Sequence, residues 1–202
     1  MRRAILLVSM VVLSLLAASG VALAVNKVGT DGPDYLRGSN DDDNLIGKGG
    51  NDILNSLAGD DNLVGGRGKD VVVGGKSCCD RGDFSGGDKN LLGGPGNDAV
   101  IGGLGADNIF GNDGNDLVAD GPNREFATDI LSAGDGNDVV GVFNDPAFKD
   151  IVTCGSGVDR VFADKKDVVA RDCEKVADRV SEFEELSESI PQSFWEGLPP
   201  TF

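Results

Sequence analysis

GGPGNDAVIGGLGADNIFGNDGNDLVA, residues 93–119, is one nine-residue phrase written three times in succession. Each copy opens on glycine-rich residues, carries Asp at its sixth position and an aliphatic residue at its eighth. Outward from there the phrase continues as GTDGPDYLR (29–37), GKGGNDILN (47–55) and GGRGKDVVV (65–73) on one side, and AGDGNDVVG (133–141) and CGSGVDRVF (154–162) on the other. Weaker copies are GSNDDDNLI (38–46) and SLAGDDNLV (56–64). Position six is Asp at 34, 43, 52, 61, 70, 98, 107, 116, 129, 138, 150, 159 and 167. Position eight is Leu36, Leu45, Leu54, Leu63, Val72, Leu91, Val100, Ile109, Val118, Leu131, Val140, Val152, Val161 and Val169. Two independent registers agreeing over residues 29–170 establish an internal repeat.

The positions have physical content. Glycines at one, two and four permit a turn with positive φ and leave backbone carbonyls bare. Positions seven to nine make a short strand whose middle side chain alone points inward. A nonapeptide is therefore a turn and a strand, and two of them close one coil of a flattened right-handed solenoid. Parallel stacking at about 4.8 Å over roughly eight coils predicts a slab about 38 Å long, with one thin ladder of Leu, Val and Ile inside. The fold class expected is all-β, a parallel β-roll.

So thin a core needs help. The chain has 34 acidic against 18 basic side chains and a net charge of −16, and only seven of the acids are Glu. Each coil adds carboxylates, so the stack repels itself unless counterions enter. Hard divalent cations held by carboxylate and carbonyl oxygens answer this, and Ca²⁺ accepts the six or more oxygens that a sandwich of turns supplies. Asp suits the place because its carboxylate stays beside its own turn. The acidity argues against nucleic acid as a partner. No histidine is present, which excludes Ser-His-Asp and Cys-His nucleophile sites and His-ligated zinc.

GGRGKDVVV, GGPGNDAVI and GGLGADNIF resemble the GGxGxDxUx nonapeptide of the RTX, or hemolysin-type, calcium-binding repeat family. The resemblance covers residues 29–170 and implies a parallel β-roll that binds Ca²⁺ between successive turns on one side and folds as it does so. Many members are toxins, lipases or proteases exported without a cleaved N-terminal signal. This chain departs from them in having such a signal and no effector domain, so pore formation is not implied. The stretch CGSGVDRVFADKKDVVARDCEKV (154–176) is similar to the closing segment of small exported bacterial RTX proteins.

Alternate turns share an edge, so the copies sort by parity when residues 74–92 count as one copy with a ten-residue insertion. Turns beginning at 29, 47, 65, 93, 111, 133 and 154 fall on the first edge, and all have Gly at four and Asp at six. Turns beginning at 38, 56, 74, 102, 120, 142 and 163 fall on the second, which collects the lost glycines and the long turns. The expected calcium row runs through Asp34, Asp52, Asp70, Asp98, Asp116, Asp138 and Asp159, with a gap between 70 and 98. Partial sites are expected at Asp43, Asp61 and Asp107. Counting 74–92 as two copies would instead swap the row between edges halfway.

The ends differ from the middle. Residues 1–24 have a basic start, an apolar run from Ala4 to Ala18 and a final Ala22-Leu23-Ala24, the pattern of a cleaved signal peptide. Its removal moves the net charge from −16 to −18 by taking Arg2 and Arg3, and no later segment could span a bilayer. The domains expected are thus the signal peptide (1–24), the roll (25–173) and a C-terminal helix and tail (174–202). Val176, Val180, Phe183, Leu186 and Ile190 form the helix stripe, and Pro191 ends it. Cysteines in an exported chain suggest disulfides. Cys154 and Cys173 lie about one coil apart and are expected to pair, while Cys78 and Cys79 could stay free or bridge to another chain. Arg81-Gly82-Asp83 reads as a chance tripeptide.

The function expected is an exported, non-catalytic calcium-binding β-roll. The alternative is an adhesion or matrix module in which the long turns 74–92, 120–132 and 142–153 contact a glycan or another cell. An enzyme acting on acidic polysaccharide is the third reading. It is disfavoured because every carboxylate pair falls in the repeat register, with none left over for acid–base work.

Overall fold

The computed structural model describes residues 23–75, 87–88, 90–121, 127–142, 144 and 148–177. The first half of this region holds β1 (Asn26–Val28), β2 (Tyr35–Arg37), β3 (Asn44–Gly49), β4 (Ile53–Asn55), β5 (Asn62–Arg67), β6 (Val71–Val73), β7 (Asn90–Pro95) and β8 (Ala99–Ile101). The second half holds β9 (Asn108–Asp113), β10 (Leu117–Ala119), β11 (Ile130–Gly136), β12 (Val139–Val142), β13 (Ile151–Gly157), β14 (Arg160–Ala163), β15 (Val168–Val169) and β16 (Lys175–Ala177). Each strand pairs in parallel with the next but one. The odd strands make one eight-stranded sheet and the even strands another. The fold is an all-β parallel solenoid, with no helix among the described residues.

Position eight supplies the core. Leu45, Leu54, Leu63, Val72, Leu91, Val100, Ile109, Val118, Leu131, Val140, Val152 and Val161 have no exposed surface, and Leu36 has little. Most of their strand neighbours are more exposed, as the alternation of a strand requires, with Ala99 and Phe162 buried beside Val100 and Val161. The ladder is kept in line by pairings such as Leu45↔Leu63 and Val118↔Val140. Each full burial of such a side chain contributes about 1.5–3 kcal/mol.

The insertion at 74–92 settles in one turn. β5 pairs with β7 as Leu63↔Leu91 and β6 with β8 as Val72↔Val100, so both sheets pass it without changing sides. The stretch is one copy, as the parity count supposed, and alternate turns remain on the same edge throughout.

Two expectations need correction. The short strand of positions seven to nine describes the even sheet, whereas β3, β5, β7 and β9 each run to six residues. Their extra residues are the start of the first-edge turn, paired coil to coil as Lys48↔Gly66 and Gly94↔Asn112. The second correction falls at the C-terminal boundary. Lys175–Ala177 form β16, paired with β14 as Val161↔Val176, so the sheet extends past Cys173 and Val176 belongs to a strand. The remainder of the predicted helix, the signal segment up to residue 22, Cys78, Cys79 and residues 81–83 lie outside the described residues.

Cys154 and Cys173 form a disulfide, with Cα atoms 5.2 Å apart. Cys154 stands at position one of its copy and is fully buried, so the bridge ties the last core residues to the chain that follows them.

Candidate metal centre: two rows of aspartates

Each position-six aspartate hangs from the coil before it by one oxygen. On the first edge the backbone N–H groups of Asp34, Asp52, Asp70, Asp98 and Asp116 each donate to Oδ1 of the next row aspartate, at 2.8 Å every time. Asp138 donates to Asp159 at 2.9 Å. The row contains all seven aspartates that the parity argument placed there. The predicted gap between Asp70 and Asp98 is bridged like every other step.

The second edge carries an equal row. Asp43 donates to Asp61, Asp61 to Asp88, Asp88 to Asp107, Asp107 to Asp129, Asp129 to Asp150 and Asp150 to Asp167. Asp43, Asp61 and Asp107 are therefore members of an unbroken line and not isolated remnants. Asp88 escapes the sequence register because one extra residue separates it from Leu91. Glu174 also escapes it. Its Oε2 accepts the Asp159 N–H at 3.0 Å and closes the first row, although its neighbour Val176 fits a helical period equally well.

The other oxygen is the informative one. Oδ2 of Asp52, Asp61, Asp70, Asp98, Asp107, Asp116, Asp129, Asp138 and Asp159 is buried with no hydrogen-bond partner. A buried, unpaired carboxylate oxygen costs several kcal/mol in the charged state. What it faces is another oxygen. A methyl placed on Gly47 would stand 2.2 Å from Asp52 Oδ2 and 2.3 Å from the Gly65 carbonyl oxygen of the next coil. Gly38 has the same relation to Asp43 and the Ser56 carbonyl, and Gly74 to Asp88 and the Gly102 carbonyl. Position one is thus glycine because a Cβ would fill the cradle where these oxygens converge. An unprotonated carboxylate and a carbonyl with no hydrogen between them fit a hard cation that accepts oxygen ligands. Late in the first row Ala133 and Cys154 replace that glycine, so Asp138 and Asp159 have a more crowded cradle.

Electrostatics point the same way. Loss of water pushes the carboxyls up from 3.8, to about 6 for Asp70, Asp116 and Asp138 and about 7 for Asp98. On the second edge it raises Asp88 and Asp129 to about 7 and Asp107 to about 9. Neighbouring row carboxylates add to the rise in each case. The backbone N–H at each Oδ1 opposes it without overcoming it. Without a cation, the rows are places where protons gather near neutral pH.

One group of acids does not follow the repeat. Asp120 stands at position one, and its carboxylate meets those of Asp129 and Asp150, with one oxygen from each within 4.8 Å of the others. All three are buried. The expectation that no carboxylate falls outside the register fails at Asp120, because its long turn hid its position.

Fold and site together define a class, a parallel β-solenoid whose turns stack buried carboxylates against backbone carbonyls. Residues 28–54, 46–76, 85–119 and 127–140 match the RTX calcium-binding nonapeptide repeat, and the repeat region belongs to that family. Calcium-binding repeats wound into this solenoid fit a calcium-binding β-roll. No curated protein and no solved structure matches the chain.

Proposed function

We propose that the protein is exported, has no catalytic activity of its own, and folds into its roll as Ca²⁺ binds between successive turns. The observation that carries this reading is the line of buried Oδ2 atoms without partners, those of Asp52, Asp70, Asp98, Asp107 and Asp116 converging with a carbonyl of the next coil. Asp34, Asp52, Asp70, Asp98, Asp116, Asp138 and Asp159 would hold ions along the first edge. Asp43, Asp61, Asp88, Asp107, Asp129 and Asp150 would do so along the second. Bound calcium supplies positive charge that neutralises facing carboxylates and draws adjacent coils together. The chain contributes the rest. The Oδ1 bonds fix each carboxylate, position-one glycine leaves the cradle open, and the ladder of Leu, Val and Ile holds the sheets in register.

Export is supported by the family and by the pattern of residues 1–24. The backbone N–H of Val25 donates to Asp43 Oδ1, so cleavage after Ala24 would leave a new α-amino group at the head of the second row. In this reading the roll winds right-handed through about eight coils, in keeping with eight strands per sheet, and a C-terminal helix and tail cover its end. Secretion brings the chain from scarce calcium to the millimolar range at which weak extracellular sites fill.

A second reading, adhesion, is favoured by one observation. The turns between β6 and β7, β10 and β11, and β12 and β13 all leave the second edge and would present one joint surface to a glycan or cell. Shortening all three should then abolish surface binding and spare calcium affinity.

Equilibrium dialysis of residues 25–202 against calcium and magnesium tests the main reading. Several calcium ions per chain, with magnesium a poor substitute, is the expected result. A chain that binds neither ion overturns it.

A further inference from the structure

On the second edge we infer one cation site of distinct make-up, in which the side chains of Asp120 and Asn144, which no repeat position supplies, join the row aspartates Asp129 and Asp150. It rests on the calcium reading for the identity of the ion and not for its position.

The nonapeptide has no place for this arrangement. Asp120 occupies position one, which on the same edge is glycine at Gly38, Gly74 and Gly102 and a small or apolar side chain at Ser56 and Val142, but nowhere else an acid. Its Oδ1 accepts the N–H of Gly121 at 2.8 Å, which turns the carboxylate along its own turn. Asp129 closes the turn that Asp120 opens, Asp150 comes from the next turn on that edge, and Asp129 N–H to Asp150 Oδ1, 2.9 Å, holds the two row aspartates together. The carboxylate oxygens lie within 4.8 Å of one another, a spread suited to one ion with Ca–O distances of about 2.3–2.6 Å.

Asn144 supplies independent support. It belongs to the long turn after β12, outside any repeat position, yet it is only 8 % exposed. Its Nδ2 donates to Asp150 Oδ2 at 2.7 Å, and its Oδ1 is buried without a hydrogen-bond partner. Asp129 Oδ2 is likewise buried and without one. An amide set against a carboxylate cluster, with its own oxygen unused, is a fourth oxygen donor in place for a hard cation. Three carboxylates also put more negative charge on this ion than the two aspartates of adjacent coils put on a repeat site. Ligand charge raises calcium affinity, so this site fills first and links the long turns before β11 and β13.

The test is a calcium titration of residues 25–202 by isothermal calorimetry, comparing the unaltered chain with Asp120→Gly and Asn144→Ala. Asp120→Gly restores the residue that the repeat uses at position one. The unaltered chain should hold one ion roughly tenfold or more tighter than the others, in line with the dependence of affinity on ligand charge. Asp120→Gly should abolish the tight phase and leave Asp129 and Asp150 with a site no tighter than the other repeat sites, and Asn144→Ala should weaken the tight phase severalfold. Should Asp120→Gly fail to fold, as judged by circular dichroism in saturating calcium, Asn144→Ala carries the test alone. An unchanged tight phase in a folded variant overturns the site. Loss of weaker ions alone in an Asp52→Asn control would support it, by separating this site from the first-edge row. A chain that binds no calcium overturns both this site and the repeat reading.

Discussion

The two edges of the roll are built from the same nonapeptide and behave differently. On the first, Gly65–Asp70, Gly93–Asp98, Gly111–Asp116, Ala133–Asp138 and Cys154–Asp159 keep one length from position one to the row aspartate. On the second, Gly74–Asp88, Asp120–Asp129 and Val142–Asp150 are all longer. First-edge turns are tied to their neighbours by backbone bonds such as Gly96 N–H to the Asp113 carbonyl, 2.7 Å, and Gly114 N–H to the Asp135 carbonyl, 2.7 Å. A Cβ on Gly114 would meet the Gly96 carbonyl oxygen at 1.3 Å. A turn packed this closely on both neighbours cannot lengthen without parting the stack. The second edge keeps its row through the aspartates while the length of chain from position one to the aspartate varies. Regularity is thus a demand of stacking at one edge, and variation is confined to the other.

The largest effect should come from disturbing the stacked edge. Inserting Gly-Ser between Asp113 and Gly114 should abolish the calcium-induced β signal, whereas the same insertion between Pro122 and Asn123 should leave it nearly unchanged, because lengthening a loop costs only about 0.6 kcal/mol per doubling. Equal sensitivity at the two places, measured by circular dichroism and thermal melting, would erase the distinction.

Acidity should separate the rows. In the cation-free fold these carboxyls ionise well above 3.8, so the folded chain holds more protons than the unfolded one. Acid therefore favours the cation-free roll, and this stability is lost as pH rises, through about 6 to 7 for the first row and about 6 to 9 for the second, where Asp107 is highest. In chelator the β signal should be stronger near pH 4 than near pH 8, and saturating calcium should remove the difference. A chelated chain that gains β structure as pH rises would contradict the assignment of the buried carboxyls.

Reducing Cys154–Cys173 should lower stability by about 3 kcal/mol through the released loop, visible as an earlier urea midpoint for the calcium-loaded chain. The smallest effect is expected at Lys48, which holds a φ of 86° at position two, a place that Gly66, Gly94 and Gly134 take on the same edge. Lys48→Gly should raise stability by about 1 kcal/mol, since only glycine takes this conformation without a steric cost. A loss of stability there would show that the lysine side chain contributes more than its backbone strain.

Much of this was legible in the residues. Position eight marks the core because the middle of a three-residue strand turns inward, and it is buried in every copy from Leu36 to Val161, with Val169 partly buried at the end. Parity assigned the first row because its turns never vary in length. The sites that stayed hidden are those where a local change defeats a period. Asp88 is set one residue early by the end of an insertion. Glu174 sits beside Val176, which fits a strand and a helix alike. Asp120 looks like loop until Asp129 and Asp150 are brought beside it. Periodicity reveals what coils share, and a cluster that adds Asp120 and Asn144 to two row aspartates carries no period of its own.

The most direct test of the central claim is far-ultraviolet circular dichroism of residues 25–202, titrated from chelator into millimolar calcium with magnesium as control. The buried, unpartnered carboxylates predict a coil-to-β transition at neutral pH that calcium produces and magnesium does not. A spectrum already rich in β structure in chelator, and unmoved by calcium, would contradict it.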